Sequence, residues 1–90
     1  MNMTSKFVIS PEARHRRVGE ETVILHLGSG TYFGLNPVGA RVWQLIETGK
    51  SLGEMCDAMT DEFDVSREVL ERDVLALLRD LADNNLLSVA

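Results

Sequence analysis

The stretch from Thr22 to Trp43, TVILHLGSGTYFGLNPVGARVW, constrains the fold more tightly than any other part of the chain. Thr22–Leu27 and Thr31–Leu35 are rich in β-branched, aromatic and leucine residues, the side chains that fit a pleated surface. Gly28-Ser29-Gly30 lies between them, and its glycines supply positive φ, which predicts an antiparallel hairpin with a three-residue connection. Asn36 follows as an N-cap and Pro37 takes the first helical position, where a missing N–H removes no bond. Strand, cap and helix therefore abut, and the second strand is held between a turn and a helix start. On that strand Thr31, Phe33 and Leu35 share one face, and Tyr32 and Gly34 share the other. On its neighbour Val23, Leu25 and Leu27 oppose Ile24 and His26. Apolar residues on both faces predict more than half burial or a partner over part of the exposed side. A glycine inside a strand, Gly34, marks a bulge or a close backbone approach.

The remaining elements are read outward from this unit. Phe7-Val8-Ile9 is a short strand ended by Ser10-Pro11. The cluster Arg14, His15, Arg16, Arg17 reads as a solvated loop or edge strand, with a patch for an acidic peptide as the alternative. Val18 begins or extends a strand beside Thr22–Leu27, giving an antiparallel sheet of two to three strands. The first helix runs from Pro37 to Thr48 with the stripe Val38, Val42, Leu45 and Ile46, Trp43 beside it, and Gly49 as its C′ residue. Ser51-Leu52-Gly53-Glu54 is a capping box opening a second helix with Met55, Ala58, Met59 and Phe63 on its apolar face. Ser66 caps a third, longer helix, with Val65 and Leu70 at the hydrophobic-staple positions. Its stripe, Leu70, Val74, Leu77, Leu78 and Leu81, is widened by Leu75 and Ala82. That is broader than one packing seam requires, so part of it is expected to face the sheet or a groove. Leu86–Val89 makes a short final strand. The fold class is α+β: one winged helix-turn-helix-like domain over residues 1–90, an N-terminal antiparallel sheet followed by three helices.

Composition narrows the function. A net charge of −5 argues against a protein that lives on phosphate backbones. From Ser66 to Asn84, where a winged helix reading DNA would carry cations, five acids face three arginines. A DNA-binding regulator is accordingly the weaker alternative, and no nucleic-acid partner is expected. No apolar run approaches the ~18 residues of a membrane span, and Met1–Ser10 lacks a secretory pattern. The lone Cys56 excludes an internal disulfide and fits a reducing cytoplasm, where the chain is expected to reside. Cys56 has no histidine near it in sequence and reads as a small buried residue, like Met55 and Met59. His26 has no Cys, Asp or second His at ligand spacing. No nucleophile elbow, zinc motif, C-x-x-C or phosphate-cradling glycine loop occurs. The expectation is a non-enzyme with no catalytic residues, no metal and no cofactor.

Several motifs converge on one family. Gly30 to Asn36 reads G-x-Y-F-G-L-N and continues through Gly39 to Trp43 as L-N-x-x-G-x-x-x-W. Lys50-Ser51-Leu52 opens a short helix, Asp73 to Leu81 reads D-V-x-x-L-L-x-x-L, and Asn85-Leu86-Leu87 follows. In order and spacing, over residues 18–88, the chain resembles the PqqD-like family, the precursor-peptide recognition elements of ribosomally made, post-translationally modified peptides. It departs from the usual pattern at Asn85, where typical members carry glycine. Asparagine also tolerates left-handed geometry. The resemblance implies a leader peptide added as a strand to the sheet edge and lying against the third helix. On this sequence the edge is Thr31, Tyr32, Phe33, Gly34 and Leu35. The groove wall is the exposed side of Val74, Leu77, Leu78 and Leu81, with Arg79 and Asp80 at the rim. The implied partners are a precursor peptide and its modifying enzymes, either a leader peptidase with a macrolactam synthetase in lasso-peptide biosynthesis or a radical-SAM enzyme. LNPVGARVW favours the lasso setting slightly. An exposed edge also implies a monomer or a weak, swapped dimer.

Overall fold

The computed structural model describes residues 1–90. The elements run β1 (Phe7–Ile9), β2 (Ala13–Val18), β3 (Glu21–His26), β4 (Tyr32–Leu35), α1 (Pro37–Glu47), α2 (Leu52–Glu62), α3 (Arg67–Asp83) and β5 (Leu87–Val89). β2, β3 and β4 form an antiparallel sheet in that order, so β2 and β4 are its edges. The arginine cluster is an edge strand. β1 and β5 pair with each other in a separate two-stranded sheet, Phe7 opposite Val89 and Ile9 opposite Leu87. The fold is the expected α+β arrangement, antiparallel strands followed by three helices.

Local chemistry sets the helix boundaries. Asn36 Oδ1 accepts the Gly39 N–H at 2.9 Å, with Pro37 at the first position. The capping box of α2 is complete: Glu54 Oε1 accepts the Ser51 N–H at 2.9 Å and Ser51 Oγ accepts the Glu54 N–H at 3.3 Å. These bonds from Ser51 hold the Glu54 carboxyl below its ordinary value. The carbonyls of Ser5 and Met3 take the N–H groups of Leu52 and Gly53, satisfying two more donors of that first turn. α3 ends in a Schellman motif, Leu86 N–H to Leu81 O and Asn85 N–H to Ala82 O, with Asn85 at φ 60. Asparagine thus occupies the left-handed position where the resemblance led to an expectation of glycine.

The β3–β4 hairpin differs from expectation by one residue. The His26 N–H donates to Thr31 O at 2.9 Å and the Gly30 N–H to His26 O at 2.8 Å, so Leu27 to Gly30 form a four-residue loop. Leu27 still bonds β2, its N–H donating to the Glu12 carbonyl at 2.9 Å in register with the β2–β3 pairing, but it has no partner on β4. Gly30 has positive φ, whereas a Cβ at Gly28 would meet Glu12 Oε2 at 2.7 Å, the flexible end of a side chain that can move aside. His26 braces this turn: Nδ1 accepts the Ser29 N–H at 3.1 Å, and Nε2 lies 3.6 Å from Glu12 Oε2.

The 17 buried apolar residues of the core come from every element except β2. Ile24 and Leu35 face inward from the sheet, Val42, Trp43 and Ile46 from α1, Met55, Cys56 and Met59 from α2, and Leu70, Val74, Leu78 and Leu81 from α3. The methionines and the cysteine are core residues, and burial pushes the Cys56 thiol up. Trp43 Nε1 donates to His15 Nδ1 at 3.4 Å, joining β2 to this core. Arg41 grips Glu62 with Nε at 2.8 Å from Oε1 and Nη2 at 2.8 Å from Oε2, tying α1 to the end of α2.

Candidate functional site

β4 is paired on one side only. Its register with β3 places Thr22 opposite Leu35, Val23 opposite Gly34, Ile24 opposite Phe33 and Leu25 opposite Tyr32. The His26–Thr31 bond fixes which of these pairs exchange hydrogen bonds. Because bonded and non-bonded pairs alternate along an antiparallel ladder, Ile24–Phe33 and Thr22–Leu35 are bonded. The N–H and C=O groups of Tyr32 and Gly34 therefore point to the open edge. β4 ends the sheet order, so this edge has no strand partner, and a Cβ added at Gly34 would meet nothing within 4 Å on the outer face.

Beside that edge lies an open groove of about 450 Å³ lined by Phe33, Gly34, Leu35, Asn36, Val38, Gly39, Val42, Asp73, Val74 and Leu77. Phe33 is half-buried and Leu35 buried on the inward face of β4, as alternation requires. α1 supplies Val38 and, at its floor, Val42. Gly39 sets how close α1 comes: a Cβ there would sit 3.1 Å from Leu35 Cδ2 and 3.4 Å from Leu77 Cδ2. α3 supplies buried Val74 at the floor, half-buried Leu77 at the wall and exposed Asp73 at the mouth. The nearest cation to Asp73 is Arg72, 3.6 Å away, with both side chains largely in solvent.

Of the residues expected from sequence, Phe33, Gly34, Leu35, Val74 and Leu77 come together at the groove. Thr31 lies just before β4, where its hydroxyl meets Ser29 Oγ at 2.7 Å. Tyr32 projects from the opposite face of the strand and is 71% exposed. Four expected wall and rim residues lie elsewhere. Leu78 and Leu81 are fully buried and have no exposed side to give. Arg79 lies two residues, or about 200° of helix, beyond Leu77, which turns it away from the groove. Asp80 is exposed but does not line the groove; Asp73, about two turns earlier, is the acid there. Sequence reasoning missed Val38, Val42 and Gly39 as lining because the α1 stripe is indistinguishable from plain core.

No three His, Cys, Asp or Glu side chains gather as a metal ion would require, and no helix is long and apolar enough to cross a membrane. An open strand edge above an apolar groove is an arrangement that can accept an extended peptide as one more strand, with pockets for alternate side chains.

Residues 21–87 match the family model for coenzyme PQQ synthesis protein D, PqqD. The chain belongs to the PqqD family. A curated relative, the PqqA binding protein of Gluconobacter oxydans (strain 621H), is 34% identical over 55 residues, which is 61% of this chain and 57% of that protein. The match thus spans little more than half of that relative's length. Among solved structures, TbiB1 in complex with the TbiA(beta) leader peptide superposes with a TM-score of 0.84 at 45% identity, covering 89% of this chain and 93% of that one. A lasso peptide synthetase B1 complexed with its leader peptide superposes at 0.86 with 30% identity, covering 92% and 98%.

Proposed function

We propose that this protein is a non-catalytic adaptor that captures the leader of a ribosomally made precursor peptide by strand addition and presents the rest of the precursor to modifying enzymes. The observation that carries this is the open edge of β4. The backbone groups of Tyr32 and Gly34 face outward beside the apolar groove lined by Val38, Val74 and Leu77. The relatives support the same function: one is a PqqA binding protein and two are solved with a leader peptide. Main-chain bonds to Tyr32 and Gly34 would hold the leader, and its inward side chains would enter the groove and fix the register.

Ordering a flexible leader opposes binding, so a few apolar anchors must supply the surplus. The expected dissociation constant is on the order of 1 μM, equivalent to about −8 kcal/mol. The gain to the enzyme is effective concentration of the tethered peptide. Lasso-peptide biosynthesis, with a leader peptidase and a macrolactam synthetase, is the slightly favoured setting, since one of the solved relatives is a lasso peptide synthetase B1 complexed with the leader peptide. Delivery to a radical-SAM enzyme is the alternative, favoured by the PqqA-binding relative. A DNA-reading role is disfavoured because α3, the helix that would enter a groove, carries five acids, while the arginine cluster lies away from it on β2.

The test is fluorescence anisotropy with a labelled leader synthesised from the small open reading frame beside this one, against a scrambled control. Saturable binding near 1 μM by the native order alone is expected. Equal affinity for the scrambled peptide would overturn the proposal.

A further inference from the structure

The sheet has a second face, turned away from the helices, and no layer of this chain covers it. Strand alternation places Arg14, Arg16 and Val18 of β2, Val23 and Leu25 of β3, and Tyr32 of β4 on that side. Val18 is 57% and Tyr32 71% exposed, a large apolar content for a solvent face. These residues line a shallow depression of about 390 Å³. Its cations are unspent. Arg41, Arg67 and Arg72 each meet a carboxylate, whereas Arg14 and Arg16 meet none. The guanidinium of Arg14 reaches only the carbonyls of Pro11 and Ala13. In a chain of net charge −5, this is a concentrated positive patch around an apolar centre.

We propose that the outer face of β2-β3-β4 docks a protein partner whose contact surface has an apolar centre rimmed by carboxylates, and that this partner is the enzyme receiving the captured precursor. The identity of the partner rests on the adaptor function proposed above; the docking chemistry rests on this face alone. Val23, Leu25 and Tyr32 form the centre, and Arg14 and Arg16 form the rim that steers and orients an acidic surface. Three strands at about 4.8 Å spacing and five residues' length make a patch of roughly 240 Å², well under the ~800 Å² per partner of a stable complex. That size suits a transient hand-over. A strand added beside β4 continues the same sheet, so its outward side chains lie next to Tyr32 and within reach of whatever sits on this face. A second copy is a poor occupant. Pairing the face with itself sets arginines against arginines, and Glu21 is the one carboxylate at its strand positions.

The experiment uses the full chain, the labelled leader and the purified modifying enzymes encoded beside it. Arg14→Glu/Arg16→Glu is compared with wild type in leader anisotropy and in enzyme titrations with and without saturating leader. Arg14→Gln/Arg16→Gln serves as the milder pair, and both positions are exposed, so folding is retained. Leader affinity is expected to stay within about twofold, while affinity for one enzyme falls about tenfold or more and weakens with salt in wild type. Unchanged enzyme affinity in a folded variant would overturn the proposal. So would the absence of any enzyme binding to wild type tighter than about 100 μM, or a variant whose only loss is binding to a random duplex oligonucleotide. Failure of the wild type to bind leader would instead sink the adaptor function, and the leader-free titration would still decide the docking face.

Discussion

Gly34→Pro is the sharpest perturbation of the open edge, because the ladder geometry separates the two sides of β4. The Gly34 N–H points outward, so proline there takes nothing from the β3–β4 ladder. Proline is tolerated on an edge strand when its nitrogen faces solvent, and Phe33 before it is already extended. The folded state should therefore survive. An incoming leader, in contrast, would lose one main-chain bond, about 0.5–1.5 kcal/mol net, and would bury an unpaired carbonyl at a further ~1–3 kcal/mol. Together these amount to about 2–4 kcal/mol, or a loss of affinity of roughly 30-fold to several hundredfold. Gly34→Ala keeps the N–H and adds a Cβ into open space, so its affinity should stay within about threefold of wild type. Anisotropy with labelled leader reads the binding, and far-UV circular dichroism with a thermal melt checks the fold. Wild-type affinity in a folded Gly34→Pro variant would refute strand addition at this edge. Phe33→Pro is a poorer probe, since the Phe33 N–H belongs to the internal ladder and its loss would damage the sheet.

Other outcomes follow from the same geometry. Leu77→Ala should weaken leader binding with a small change in melting temperature, whereas Leu78→Ala, in the core, should cost about 2–5 kcal/mol of stability by urea denaturation; the reverse pattern would mean the groove wall is misassigned. Cys56 is fully buried with its thiol pushed up, so it should resist an aromatic disulfide reagent in native buffer and react fully in denaturant. Rapid native labelling would contradict that packing. The Arg41 fork holds the Glu62 carboxyl below its ordinary 4.5, so its contribution is present above that pH and is lost as pH falls through the lower folded value. Glu62→Gln should therefore flatten the acid side of the stability curve, by no more than about 0.2–1 kcal/mol for so exposed a pair. Superimposable acid limbs for the two proteins would discount the pair altogether.

Much of this protein was legible in the sequence because the determining interactions are local. Asn36 with Gly39, Ser51 with Glu54 and Ser66 with Val69 are bonds across three residues, and each marks a helix start from sequence alone. The hairpin, the order of elements and the family follow from such short-range features. The tertiary structure decided what depends on contacts between distant segments. β1 meets β5 across nearly the whole chain, a pairing that three-residue strands cannot announce. The loop after His26 is one residue longer than expected because the hairpin closes at His26, whose carbonyl takes the Gly30 N–H and whose N–H bonds Thr31. On α3 the leucine stripe spans more of the helix than one seam, so sequence could not say which part was spare. Packing buried Leu78 and Leu81, left Leu77 and Asp73 at the groove, and turned Arg79 away. Periodicity states which residues share a face of a helix; only the neighbours brought in by the fold state what that face meets.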